Sequence, residues 1–219
     1  MRLPAGRLTN GIAAMNVVAF LILVLTGRVE DAAILGGFIP ARVGDPALLN
    51  GMAAMPVWLT PLSCTLIHAG WLHIAFNMLM LLFSGRQVEH VLGWGGTLLL
   101  YGVGAYAACL AQWVVDPAST NPMVGASGAI SAILATYALL YSQQQVRRVG
   151  PLSANLVRVL WLAAAWVGIQ LMIGVAMSGG VTGLGQIAIA APIGGFLAGL
   201  ALTRPLLRWR FRKKPRAVH

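Results

Sequence analysis

Read for charge alone, the chain falls into long apolar stretches parted by short polar or breaker-rich ones. An apolar slab about 30 Å thick takes roughly 20 residues of helix to cross, so each uncharged run can be measured as a crossing. The first, Leu8 to Gly27, is one span long. It lacks the small-residue cleavage site that ends a removed signal peptide, so it reads as a retained helix. In the run from Pro46 to Gly85, Pro46, Pro56 and Pro61 suit a loop, and a helix is predicted from about Ser63. Val91 to Val115 makes a third span, and Met123 to Gln145 a fourth after the breaker-rich Asp116-Pro117 to Asn121-Pro122 stretch. The last run, Val159 to Thr203, would be about 67 Å long as a single helix, over twice the slab, so it must fold back. Ser178-Gly179-Gly180 through Gly183 and Gly185 is the predicted turn, leaving spans near Leu156–Met177 and Gln186–Pro205. The pattern predicts an all-α, polytopic membrane bundle of six transmembrane helices.

Composition excludes a soluble domain: 58% of the 219 residues are hydrophobic and 9% charged, with a mean hydropathy of +0.80. Charge then orients the bundle. With six spans both ends share a side, and that side holds Arg2, Arg7, Arg86, Arg147, Arg148, Arg158, Arg204, Arg208, Arg210, Arg212, Lys213, Lys214 and Arg216. Arg28 and Arg42 fall opposite. This asymmetry places both termini in the cytoplasm, and the expected location is a bacterial inner membrane. The domain division is one membrane domain over 1–207 and a basic tail over 208–219. That tail follows a membrane helix directly, so it reads as a partner for anionic lipid headgroups and not for nucleic acid. Cys64 and Cys109 have no metal-ligand spacing and read as packed, unpaired thiols.

Ionisable side chains inside a membrane are costly, which makes His68 and His73 candidates for function. On one helix His73 and Asn77 lie about 40° apart and share a face, whereas His68 lies about 140° from His73. Simple cross-linking of helices by hydrogen bonds is the structural alternative. Gly125-Ala126-Ser127-Gly128 opens the fourth span, where small neighbours admit a reacting carbonyl and free backbone donors face developing negative charge. A small-residue packing face through Ser127 and Ser131 is the alternative there. No cofactor motif appears, and no carboxylate joins the histidines to make a metal site.

Taken in order, His68-x4-His73-x3-Asn77, Gly125-x-Ser127-Gly128 and Gly195-x3-Gly199 resemble the rhomboid family of intramembrane serine proteases. The likeness runs from about Trp58 to Pro205, and Gly85-Arg86-Gln87-Val88-Glu89 resembles the family's turn after its second helix. The resemblance implies Ser127 as nucleophile, with His73, Asn77 and the Ser127 backbone amide stabilising the oxyanion, and His68 structuring the site. It also implies a general base three residues before Gly195 and seven before Gly199. Pro192 stands there, with no proton acceptor to offer. A kink or a late helix start near Ala190 is expected from it, while Gly194, Gly195 and Gly199 keep a flat packing face. The family's Trp-Arg pair in the first outer loop is Trp58-Leu59 here. That loop, Arg28 to Pro61, carries Phe38, Ile39, Leu48, Leu49, Met52 and Met55, and is expected to dip into the membrane interface or to be disordered. The resemblance leaves two functions open. One is hydrolysis of transmembrane protein substrates, severely impaired or lost for want of the base. The other is a rhomboid-like pseudoprotease that holds or escorts membrane-protein clients.

Overall fold

The computed structural model describes residues 4–141, 150–177 and 190–212. Among these every regular element is helical: α1 (Arg7–Leu25), α2 (Val29–Gly36), α3 (Trp71–Met80), α4 (Arg86–Val115), α5 (Ser127–Leu140), α6 (Ala154–Met177) and α7 (Ala190–Arg210), with short helical turns in the loop after α2. The chain is a polytopic all-α membrane bundle. Three stretches are long and apolar enough to cross a bilayer: α1, the continuous helical path Trp71–Val115, and α7. The predicted turn at Ser178–Gly185 and the cations Arg147 and Arg148 lie outside the described residues.

The centre of the bundle is α5, which packs against α4, α6 and α7. A helix apolar on every face belongs inside, and Ala129, Ile130, Ala132, Ile133, Ala135 and Ala138 are each at most 1% exposed. It is also short, 14 residues or about 21 Å, where the sequence predicts a span from Met123 to Gln145. Gly125, with φ +112°, is not helical, so the helix starts only at Ser127.

Along α5 runs α7, backbone against backbone. A Cβ on Gly195 would lie 2.0 Å from the Gly128 carbonyl oxygen, and one on Gly199 would lie 2.2 Å from that of Ala132. One turn further, the Thr136 and Thr203 hydroxyls bond at 2.8 Å. The three pairs share one offset, 67 residues, so the two helices run parallel and in step. On its other flank a Cβ on Gly194 would lie 2.4 Å from the Ala111 Cβ. The predicted end of this helix at Pro205 is corrected. It continues to Arg210 with Pro205 inside it, and its last turn lies on α4, Arg210 Nε and the Trp209 ring standing 3.2 and 3.6 Å from Cβ positions built on Gly93 and Gly95.

The turn after the second predicted span also moves. Gly85 to Glu89 is helical, π-wound over Leu81–Gly85, and the path bends instead at Gly93, whose φ of 75° and ψ of 169° suit glycine. Arg86 and Glu89, whose charges suggest a loop, are held by the start of α1. The Glu89 carboxylate accepts from the Leu8 amide at 3.0 Å and from the Thr9 amide and hydroxyl at 2.8 and 2.7 Å. It thereby caps two otherwise orphaned donors at a helix N-terminus. Arg86 Nε donates to Asn10 Oδ1 at 2.9 Å.

The loop from α2 to α3 is ordered by specific bonds. Phe38 and Met123 exchange backbone hydrogen bonds, the Met55 amide donates to Leu35, and the Gly125 amide donates to Cys64. Ser63 Oγ donates to the Gly36 carbonyl at 2.6 Å and Tyr106 Oη to that of Trp58 at 2.8 Å. The expected dip of its apolar residues divides. Phe38 and Ile39 are buried, Leu49 is half-buried, and Leu48, Met52 and Met55 are exposed. Phe38 turns inward to pack on the free thiols Cys64 and Cys109.

Candidate active site

Two segments make one wall. After the turn Cys64–Leu66 the chain leaves the helix through Ile67 to Gly70, and α3 starts only at Trp71. This corrects the predicted helix start near Ser63 and, with it, the reading that His68 and His73 face apart. His68 sits on that segment, free of helical phase. Its ring meets that of His73 edge to face, centroids 5.0 Å apart. His68 is fully buried, and neither ring nitrogen has a hydrogen-bond partner among the described residues. One helical turn beyond His73, Asn77 is equally buried. Its Nδ2 donates to the His73 carbonyl at 2.8 Å, while its Oδ1 has no partner among the described residues. An amide nitrogen carries two N–H groups, so one stays available.

Gly125 joins this wall to α5. A Cβ there would fall 2.6 Å from both Cε1 and Nε2 of His73. The residue is therefore held to glycine twice, by its positive φ and by the ring lying against it. Ser127, two residues on, is the first residue of α5 and half-buried. Among the described residues no hydrogen bond joins its Oγ to either histidine. Its carbonyl accepts from Ser131 Oγ at 2.6 Å, and Ser131 Oγ accepts from Trp166 Nε1 on α6, also at 2.6 Å. Trp166 is a supporting residue that sequence reasoning missed. The available signal was an indole N–H in an apolar helix, a donor that needs a partner when buried.

The other wall is α7. Pro192 is buried, beside Ala191, whose carbonyl oxygen lies 3.9 Å from a Cβ built on Gly128. It precedes Gly195 by three residues and Gly199 by seven, on the face of α7 that packs on α5. A group carried by the side chain at position 192 would therefore face the start of α5. Proline offers that space an apolar ring.

The far end of α5, Tyr141, sits in the charged end of the bundle, donating to the Gln87 carbonyl at 3.3 Å and accepting from Arg158. At about 21 Å, α5 is roughly 9 Å shorter than a 30 Å slab is thick.

Comparison with known proteins gives the family. The family model described as "Rhomboid domain" matches residues 56–209. The chain is similar to Rhomboid protease GluP of Bacillus subtilis (strain 168), 30% identical over 194 residues, which is 88% of this chain and 34% of that protein. It is also similar to the chloroplastic Rhomboid-like protein 11 of Arabidopsis thaliana, 32% identical over 94 residues, 43% of this chain and 33% of that one. A third relative is RHOMBOID-like protein 5 of Arabidopsis thaliana, 32% identical over 73 residues, 33% of this chain and 24% of the relative. The aligned region thus spans about a third or less of each relative's length.

Proposed function

The chain belongs to the rhomboid family, and on that premise we propose that it is laid out as an intramembrane serine protease around Ser127 but turns over membrane-protein substrates at background rate or not at all. One observation carries the reading: Pro192 occupies the position on α7 that faces the start of α5. A serine hydroxyl attacks a carbonyl effectively only when a neighbour accepts its proton. The residues left in place suit the other half of the chemistry. The free Nδ2 hydrogen of Asn77, the Ser127 amide at a helix start and the His73 ring are donors for a developing oxyanion. In soluble serine proteases the loss of the histidine costs about a millionfold, roughly 8 kcal/mol of barrier, and an oxyanion hole alone restores little of it.

No other base offers itself in sequence near the end of α6 or the start of α7. Residues 178–192 contain no histidine, lysine, arginine, aspartate or glutamate. Among the described residues His73 is the ionisable side chain that lies against Gly125, and proton acceptance would withdraw it from the oxyanion. The second reading, a rhomboid-like protein that binds or escorts membrane-protein clients, draws on this same deficit. It needs the bundle and the cavity but no base.

The proposed setting has six crossings, counting the two legs of Trp71–Val115 apart, with both termini in the cytoplasm of a bacterial cell and Ser127 opening outward. The gathering of Arg86, Arg158 and Arg210 at one end of the helices supports it. The basic tail beyond 208 is assigned to anionic headgroups.

The test is cleavage of a fluorescent transmembrane reporter by the purified chain, by Pro192→His, by Ser127→Ala and by the double variant. The expected result is product from Pro192→His alone. Product from the unmodified chain that vanishes in Ser127→Ala would overturn the dormancy, and its further loss in His73→Ala would identify the substitute base.

A further inference from the structure

Away from the site, the loop after α2 leaves a cavity of about 680 Å³ against α4. Its loop wall includes Phe38, Val43 and Trp58, and its helix wall Tyr106, Leu110 and Trp113. Trp58 and Leu110 are 68% and 57% exposed, so the cavity opens sideways at the bundle surface. Among the described residues one charged side chain lines it, Arg42, and Arg42 is only 5% exposed. Its Nη2 donates to the Met55 carbonyl at 3.0 Å. Among the described residues Nε and Nη1 are buried without a partner, and no carboxylate pairs with the guanidinium.

A guanidinium cannot shed its charge, and burying it without a counter-ion is costly. An apolar groove at the surface of a membrane bundle is filled by acyl chain, since lipid is its solvent. The two facts together specify an amphiphile with a negative head. A volume of 680 Å³ lies within the range of about 300–1,000 Å³ usual for ligand cavities. We propose that this groove is a binding site for an anionic phospholipid, its acyl chain between the loop and α4 and its phosphate at the Arg42 edge of the cavity.

The site is tested by native mass spectrometry of the detergent-purified full chain, titrated with palmitoyl-oleoyl phosphatidylglycerol or with the zwitterionic phosphatidylcholine of the same chains. One phosphatidylglycerol is expected to be retained at concentrations about tenfold lower than phosphatidylcholine. Arg42→Gln is expected to abolish that preference, through loss of the cation beside the phosphate, and Arg42→Lys to keep part of it. Arg42 also holds the Met55 carbonyl, so Leu110→Trp supplies an independent arm: it fills the mouth from an exposed position, leaves Arg42 in place and is expected to lower retention of both lipids. Equal retention of the two lipids by the unmodified chain would overturn the proposal. So would retention of phosphatidylglycerol unchanged in both Arg42→Gln and Leu110→Trp, which would mark it as lipid bound elsewhere on the bundle. Retention of an acidic peptide that phosphatidylglycerol fails to displace would give the groove to a polypeptide and overturn it equally.

Discussion

The two walls of the site are built on opposite principles. The wall of His68, His73 and Asn77 is polar and incompletely bonded, with both His68 ring nitrogens and Asn77 Oδ1 buried without partners among the described residues. The wall of α7 is apolar and in backbone contact with α5 through Gly195 and Gly199. Unpaired polar atoms destabilise a fold, whereas the glycine seam stabilises it through close packing. Chemistry and stability therefore reside on different sides of Ser127. Position 192 can carry an apolar ring without disturbing the seam, because the seam is made by the backbones of Gly195 and Gly199 against Gly128 and Ala132. A site organised this way can retain its shape after it loses its reaction.

The sharpest way to break that comparison is Pro192→His, which adds chemistry to the packing wall. Reporter cleavage is expected to rise by about a thousandfold or more over the unmodified chain, within the roughly millionfold that a serine protease owes its histidine. The thermal unfolding midpoint in detergent is expected to stay within a few degrees. A gain in cleavage accompanied by a large loss of stability would show that the two functions of α7 are not separable.

Next in size is Gly195→Ala, which attacks the seam alone. Its methyl group would lie 2.0 Å from the Gly128 carbonyl oxygen, and backbone cannot swing aside as a side chain can. A destabilisation of about 3 kcal/mol is expected, at the upper end for overpacking, read as a lowered unfolding midpoint. An unchanged midpoint would mean that α5 and α7 are not in backbone contact.

Gly125→Ala tests the junction of the walls. The φ of +112° and the ring of His73 both oppose a methyl group, and together they are expected to cost about 2 kcal/mol. In a Pro192→His background the variant is also expected to slow labelling of Ser127 by a fluorophosphonate, because His73 must move. Full labelling at the parental rate would detach His73 from the start of α5.

Periodicity made part of this site legible in the sequence. His73 and Asn77, four apart, share a helix face, and the four-residue step from Gly195 to Gly199 marks a close-packed stripe before any coordinates are seen. The central helix was legible as an apolar run, but its start was not, since Met123 and Val124 are as apolar as the helix itself. Two features escaped because charge and glycine each carry two meanings. Arg86 and Glu89 suggest a loop until Thr9 and Asn10 are known to hold them, so the bend was sought at Gly85 and lies at Gly93. A single helix through both histidines would set His68 apart from His73, but the chain is not helical between Leu66 and Trp71. The approach of His68 to His73 is tertiary, and no spacing rule encodes it.

The smallest effect concerns support from behind the serine. Trp166 Nε1 donates to Ser131 Oγ, which donates to the carbonyl of Ser127, so α6 steadies the peptide of Ser127. Interhelical hydrogen bonds in membranes contribute on average about 0.6 kcal/mol, and Trp166→Phe is expected to cost about 1 kcal/mol once the lost ring area is included. Ser131→Ala is expected to cost somewhat more, about 1–3 kcal/mol, because it leaves the buried indole N–H of Trp166 without an acceptor. The order of the two distinguishes a relay from mere packing. If volume alone mattered, truncating the large tryptophan would be the more harmful change, and the serine variant would be nearly silent. Unfolding midpoints that ranked Trp166→Phe well below Ser131→Ala would therefore remove α6 from the polar support of Ser127 and leave it as a packing element only.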